Sequence, residues 1–245
     1  MNLKNLKSNN QMKLFSYDNF ILEFVKLYNE KKLPNKIIFS GKKGTGKSTF
    51  AYHFINYILS KEEEFSYDLT KFEINPSNKS FNFILKNYHH NFYLIKLLDE
   101  KKNIEISQIR KMYNYVYKSS FNNKDKIVLI NNAESLSLNA SNALLKIIEE
   151  PNSNVYFILI YDNSKSILDT IKSRCLKFNF FLPYDQSIST VNKIINDDIF
   201  NYVDKNLINH YFTVGDLINL INFSNTLKFD ISKIDLKNFL ISIID

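Results

Sequence analysis

Apolar residues follow two rhythms along this chain. Short runs bounded by turn residues, at Ile37–Phe39, Phe92–Leu98, Ile127–Ile130, Val155–Ile160 and Leu176–Phe181, read as five buried strands. Between them the apolar residues fall three and four apart. Phe15–Lys32 carries Phe20, Ile21, Phe24, Val25 and Tyr28 on one face. Thr49–Ser60 carries Phe50, Phe54, Ile55 and Ile58, and Ile106–Tyr117 carries Ile109, Met112, Tyr113 and Val116. That spacing predicts amphipathic helices. Shorter helices are expected after Pro76, around Phe81, Ile84 and Leu85, and over Ser166–Lys172. Asn139 suits the N-cap of a helix that runs to Glu149 and stops at Pro151. Strands alternating with helices predict a parallel sheet covered on both faces.

Pro183 marks a change. Ile188, Val191, Ile194 and Ile195, then Leu207 and Ile208, then Leu217, Leu220 and Ile221 all keep helical spacing, with no strand between them. The expected division is an α/β domain over 1–182 and a small helical domain over 183–230, and Leu236–Ile244 is apolar enough for one more helix. Residues 1–13 are polar and are expected to be loose.

The chemistry begins at the exit of the first strand. Gly41-Lys42-Lys43-Gly44-Thr45-Gly46-Lys47-Ser48 is a glycine, four residues, then Gly-Lys-Ser, and Thr49 leads into the helix. Strand, glycine loop and helix are the context in which this motif binds phosphate. Glycines let successive backbone N–H groups converge on phosphate oxygens, and the helix start adds its positive end. Lys47 is placed for the β- and γ-phosphates and Ser48 for a nucleotide-bound Mg²⁺. Three of the four glycines in the sequence lie in this loop. ATP or ADP with Mg²⁺ is the expected ligand, and occupancy by either nucleotide or by none stays open.

Composition changes this picture little. The 245 residues leave room for one large and one smaller domain, and 44% hydrophobic with 23% charged residues is ordinary for a globular chain. A net charge of +7 is compatible with a nucleic-acid neighbour. Its weight is limited, since a general abundance of Lys would produce the same excess. A single cysteine, Cys175, excludes an internal disulfide and a multi-cysteine zinc site. Without an apolar leader or a membrane-length apolar run, a cytoplasmic location with no membrane partner is expected.

A second strand in nucleotide hydrolases ends on carboxylates that hold Mg²⁺ and polarise water. Here Lys126–Ile130 is followed by Asn131 and Asn132. Asn131 can hydrogen-bond a metal-bound water but brings no charge, and Asn132 cannot accept a proton near neutrality. Glu134, two residues on, reads as a loop or helix-start carboxylate. The expectation is a nucleotide site deficient in hydrolysis.

At this point the residues resemble one family, the AAA+ clamp-loader subunits of bacterial DNA polymerase III. Asn142-Ala-Leu-Leu-Lys-Ile-Ile-Glu-Glu-Pro151 resembles its Asn-Ala-Leu-Leu-Lys-x-Leu-Glu-Glu-Pro signature. Leu33-Pro-Asn-Lys36, Ile106-Ser-Gln-Ile-Arg110 and Thr170-Ile-Lys-Ser-Arg-Cys175 resemble three further segments in the right order over roughly residues 14–181. The delta-prime type fits better than the gamma/tau type, which would carry Asp-Glu at 131–132 and a four-cysteine zinc module. A polar sensor would fall at Tyr161 or Asp162, and Gly215-Asp216 stands where an active ATPase places a sensing Arg. The intact phosphate loop departs from some delta-prime chains.

The resemblance implies an AAA+ three-layer α/β sandwich followed by a helical lid, with 231–245 as the start of a helical collar domain that is truncated or absent. It implies assembly with gamma/tau- and delta-type subunits, and action on the sliding clamp and primed DNA through backbone phosphates. It also implies that Arg174 reaches the nucleotide site of a neighbouring subunit, a task suited to a fixed charge with forked donors. Two other readings stay open: an active gamma/tau-type ATPase, and a stand-alone phosphate-loop nucleoside-triphosphatase or kinase. Leu144, Leu145 and Ile148 are expected in the core, and Asn142 and Lys146 on a face toward a neighbour or DNA. Cys175 is read as a small buried hydrophobe. His53, His89 and His90 are assigned no chemistry, and Phe50, Phe54 and Phe92 are core residues.

Overall fold

The computed structural model describes residues 6–118, 124–150, 154–208, 211–227 and 231–232. They fall into two compact units. The first is Ser8–Gly41 with Lys47–Phe180; the second gathers Leu6, Lys7 and Lys42–Gly46 with the described residues from Phe181 onward.

The first unit is built on five strands: β1 (Lys36–Gly41), β2 (Phe92–Ile95), β3 (Lys126–Ile130), β4 (Val155–Asp162) and β5 (Leu176–Asn179). All pairings are parallel, in the order β2-β3-β4-β1-β5. The helices are α1 (Asp18–Asn29), α2 (Lys47–Ser60), α3 (Lys79–Leu85), α4 (Ile106–Tyr117), α5 (Leu138–Glu149) and the single turn α6 (Asp169–Lys172). This is an α/β arrangement with a parallel sheet between helical layers, as the alternation of strands and helices predicts. Buried strands without alternation are what a sheet covered on both faces requires, and β3 is buried at every position.

The two faces differ in material. Ile38, Val128, Ile130, Phe157 and Leu159 pack with Ile109, Met112, Leu144 and Ile148 in an aliphatic core. Residues one position out of step point the other way. On that side Phe39 meets Phe24, Phe50 and Phe180 at ring separations of 4.9–5.6 Å, and Phe24 also meets Phe54 and Phe178. Edge-to-face rings at such distances add about 0.5–1.5 kcal/mol per pair beyond burial.

Several boundaries differ from the pattern-based expectation. α1 begins at Asp18 and ends at Asn29, before Pro34, because the chain turns through a left-handed Lys31 at φ 55°. β2 stops at Ile95 and β5 at Asn179, while β4 continues to Asp162. Ser137, not Asn139, caps α5: its hydroxyl accepts from the Ala140 amide at 3.2 Å. Ser137 sits three residues before that donor with an extended backbone, the geometry that a side-chain cap needs. Residues 8–13 are not loose. Ser8–Asn10 form a 3-10 turn, Gln11 O accepts from His53 Nε2, and Met12 O accepts from the Ile74 amide.

The second unit holds α7 (Tyr184–Ile195), two 3-10 turns at Ile199–Asn201 and Lys205–Ile208, and α8 (Val214–Leu227). Leu217 and Ile221 of α8 and Val191 and Ile195 of α7 are buried. Pro151 and the Leu236–Ile244 segment lie outside the described residues, as does most of 231–245. Among the described residues, no helix is long and apolar enough to cross a membrane.

Candidate functional site

The loop after β1 folds as its glycines permit, with Gly44 and Gly46 both at φ 86°, where a side chain would be strained. Thr45 Oγ1 donates to Lys42 O at 2.9 Å and closes the turn. Lys42 and Lys43 are exposed, and the Lys42 ammonium stands 4.8 Å from the centre of the Tyr211 ring. Lys42–Gly46 belong to the second unit, whereas Gly41 and Lys47–Thr49 belong to the first.

Lys47 opens α2 and is buried. Its ammonium donates to Gly41 O at 2.7 Å, and the same carbonyl accepts from the Asn163 amide at 3.2 Å. Burial pushes Lys47 down to about 8, against the pull of the Asp162 and Glu134 carboxylates. A lysine near half protonation at mildly alkaline pH has most to gain from an anionic partner.

The neighbouring Ser48 hydroxyl donates to Asn131 Oδ1 at 3.3 Å, and this bond ties the start of α2 to the exit of β3. The Asn131 amide donates to Ile95 O at 2.8 Å, which sets the depth of that exit. Asn132 follows in the left-handed region, at φ 60° and ψ 53°, a conformation asparagine tolerates better than most residues. Its side-chain amide donates to Glu134 Oε1 at 3.3 Å. Glu134, in the 3-10 turn Ala133–Ser135, also accepts from the Asp162 amide through Oε2 at 3.1 Å.

The structure therefore brings Lys47, Ser48, Asn131, Asn132, Glu134 and Asp162 together. Asp162 and Glu134 supply carboxylates close to Lys47 even though 131 and 132 do not. Burial alone would raise the Asp162 carboxyl. The Ser164 amide and hydroxyl, with the Lys47 and Lys165 charges, instead hold it below the usual carboxylate range. Tyr161, the alternative sensor position, donates its hydroxyl to Lys165 O at 2.6 Å. This donor set fits a Mg-nucleotide: a buried cation for phosphate, a hydroxyl and an amide oxygen for the hydrated metal, and two carboxylates in the same region. Carboxylate-rich metal clusters are a different matter. Among the described residues, no group of three or more His, Cys, Asp or Glu side chains converges.

Arg174 follows α6 at the surface. Its Nη2 pairs with Glu149 Oε1 at 2.8 Å, and Nη1 donates to Thr170 O at 3.1 Å. The pair joins two of the segments that carried the family resemblance, Asn142–Pro151 and Thr170–Cys175, and both side chains remain well exposed. Cys175 is half-buried, and burial pushes its thiol up to about 11, as an unreactive side chain requires. On α5, Leu144, Ile147 and Ile148 are buried while Leu145 is only partly so; Asn142 and Lys146 are exposed on the same face. Phe50, Phe54 and Phe92 are in the core.

One other cluster has the composition of a hydrolytic triad. Ser80 Oγ lies 3.1 Å from His89 Nε2 and 2.5 Å from Glu63 Oε1. Its wiring rules that chemistry out. The Asn91 amide donates to His89 Nδ1 at 3.1 Å, so Nε2 carries the proton, and the serine hydroxyl is spent on the glutamate. Burial also pushes His89 down to about 4.

Comparison with known proteins matches residues 17–183 to the family model described as DNA polymerase III, delta subunit. The Bacillus subtilis DNA polymerase III subunit delta' is 28% identical over 199 residues, covering 79% of this chain and 56% of that protein. The Haemophilus influenzae subunit delta' is 40% identical over 85 residues, covering 35% and 26%. A DNA polymerase III subunit gamma of Buchnera aphidicola is 29% identical over 171 residues, covering 69% and 44%. The chain thus spans between about a quarter and a little over half the length of these relatives. A crystal structure of a DNA polymerase III gamma subunit-related protein from Thermotoga maritima superposes with a TM-score of 0.51 at 18% identity, over 89% of this chain and 75% of that one. At that identity the match speaks for the fold.

Proposed function

The chain belongs to the DNA polymerase III delta-subunit family, and from that premise we propose that it serves as a delta-prime-like subunit of the complex that loads the sliding clamp onto primed DNA. In this reading it binds ATP or ADP with Mg²⁺ through Gly41–Thr49, hydrolyses it slowly or not at all, and donates Arg174 to the nucleotide site of a neighbouring gamma/tau-type subunit. The residues after Pro183 act as the lid. Contact with DNA is through backbone phosphate, without sequence readout.

The observation that carries the reading is the exit of β3. Asn131 takes the Ser48 hydroxyl and Asn132 is engaged with Glu134, so neither offers a base to an attacking water. Removing that base costs several kcal/mol of transition-state stabilisation, while the binding elements around Lys47 are retained. Arg174 suits transfer to another subunit because its tether to Glu149 is a half-exposed ion pair. Pairs of that kind contribute about 0–1 kcal/mol, so a phosphate in a neighbour outcompetes it readily.

When bound, Mg²⁺ supplies charge neutralisation between the phosphates. Ser48 and Asn131 are the residues that would hold it, Ser48 by its hydroxyl and Asn131 through a metal-bound water. Lys47 holds the phosphate side.

A specific observation favours a second reading, an active gamma/tau-type ATPase. Glu134 and Asp162 both lie close enough to Lys47 to act on its charge. Turnover measured on the purified chain and on the reconstituted complex separates the two. The proposal expects little turnover by the chain alone, co-purification with gamma- and delta-type subunits, and slower DNA-stimulated hydrolysis by the complex carrying Arg174→Ala. Rapid Mg²⁺-dependent turnover by the isolated chain, abolished by Lys47→Ala, would establish the second reading instead.

A further inference from the structure

The sequence has four glycines, and the one outside the phosphate loop, Gly215, packs against that loop. The Gly215 amide donates to Gly44 O at 3.0 Å. A Cβ on Gly215 would stand 2.6 Å from Gly44 Cα, and both partners there are backbone, so neither can step aside. A Cβ on Gly44 would overlap Thr213 Oγ1 and stand 3.0 Å from Gly215 Cα. Thr213 is itself buried and fixed. Its amide and hydroxyl donate to Asp216 Oδ2 at 3.0 and 2.8 Å, and its hydroxyl oxygen accepts from the Asp216 amide at 3.2 Å. The first turn of α8 is thus a closed reciprocal cap, and Gly44 packs against its Thr213 and Gly215.

We propose that Thr213 and Gly215 form a clasp that holds the phosphate loop in its binding shape through Gly44, which makes Gly215 a positioning residue for the nucleotide. In a trans peptide the C=O and the next N–H point in opposite directions. With the Gly44 carbonyl turned to Gly215, the Thr45 N–H of the same peptide points away from the Gly215 amide. Fixing the 44–45 peptide matters because successive backbone amides are what a loop of this kind presents to phosphate. The clasp needs glycine on both sides, which explains why a chain this poor in glycine keeps one at 215. Its consequence for ligand binding rests on the nucleotide reading above, but the contact itself does not.

Hydrogen–deuterium exchange on the full chain, first without nucleotide, tests the clasp. Gly215→Ala should speed exchange at 42–46 and 213–217 while 127–130 and 155–162 stay at the wild-type rate. Asp216→Asn, which loosens Thr213 without adding an atom at 215, should speed 42–46 to a smaller extent and decides the matter if Gly215→Ala disturbs the sheet. Unchanged exchange at 42–46 in both variants overturns the proposal. With ADP added, wild-type protein should gain protection at 213–217 as well as at the loop. Gly215→Ala should lose that transmitted protection and bind ADP about fivefold or more weakly, the size typical of coupled sites. Equal ADP affinity in the two also overturns it. Wild-type protein that binds no ADP removes the nucleotide reading and leaves the exchange rates to judge the clasp.

Discussion

The start of α2 and the exit of β3 face one another across a single side-chain hydrogen bond, Ser48 to Asn131, yet they have fared differently. On the α2 side the glycine loop runs into a buried lysine, Lys47, and the Ser48 hydroxyl. On the β3 side the two positions that would carry negative charge are amides, and the carboxylates close to Lys47 come from Glu134 and Asp162. Glu134 is occupied by two hydrogen bonds and Asp162 by Ser164. Holding a nucleotide and cleaving it would therefore be separable demands, one at the exit of β1 and the other at the exit of β3, with β4 between them. The first depends on backbone shape and one cation, the second on unengaged carboxylates at fixed positions.

The largest effect is expected from the side that is intact. Lys47→Ala should weaken ADP binding about 100-fold, since it removes a buried charge-assisted donor, as isothermal titration would measure. Raising the pH has a smaller effect in the same direction. Lys47 sits at about 8, and a phosphate prefers the protonated form. Affinity should hold from pH 6.5 to 7.5 and fall about tenfold by pH 9, as deprotonation of the unliganded lysine demands.

Asn131→Asp tests the other side. A carboxylate there should make Mg²⁺ strengthen ADP binding by about fivefold, with turnover remaining low because position 132 still lacks a base. The same change places a negative charge nearer Lys47, so the alkaline loss of affinity should move to higher pH; no movement would mean that the two sides do not sense each other. The smallest effect is expected from Ser48→Ala. A half-buried 3.3 Å bond is worth about 0.5–1 kcal/mol, read as a small drop in the unfolding midpoint, and the magnesium-dependent part of binding should disappear with it.

Much of this was legible in the sequence because it is local. Ile106–Tyr117 forms a helix over the expected span, and the glycine loop announces itself by spacing. Local rules also misled. Asn139 and Ser137 are both good N-caps by residue type, and only the backbone geometry at 137 chooses between them. Contacts set by the sheet were not legible at all. Parallel pairing of β3 with β4 brings the Asp162 amide to Glu134, 28 residues away, and no periodicity encodes that meeting. Residues 8–13 look like a polar tail, yet their backbone carbonyls serve a buried histidine and the amide of Ile74. Gly215 read as a gap where an arginine was expected, because its partner lies 171 positions earlier.

The ring of Tyr211 beneath the Lys42 ammonium offers an optical handle. The protein has no tryptophan among its 15 tyrosines and 21 phenylalanines, so Tyr211→Trp would install the sole indole in the chain, beside the loop whose movements matter most. Its fluorescence would follow that loop in real time, against a background that red-edge excitation renders silent.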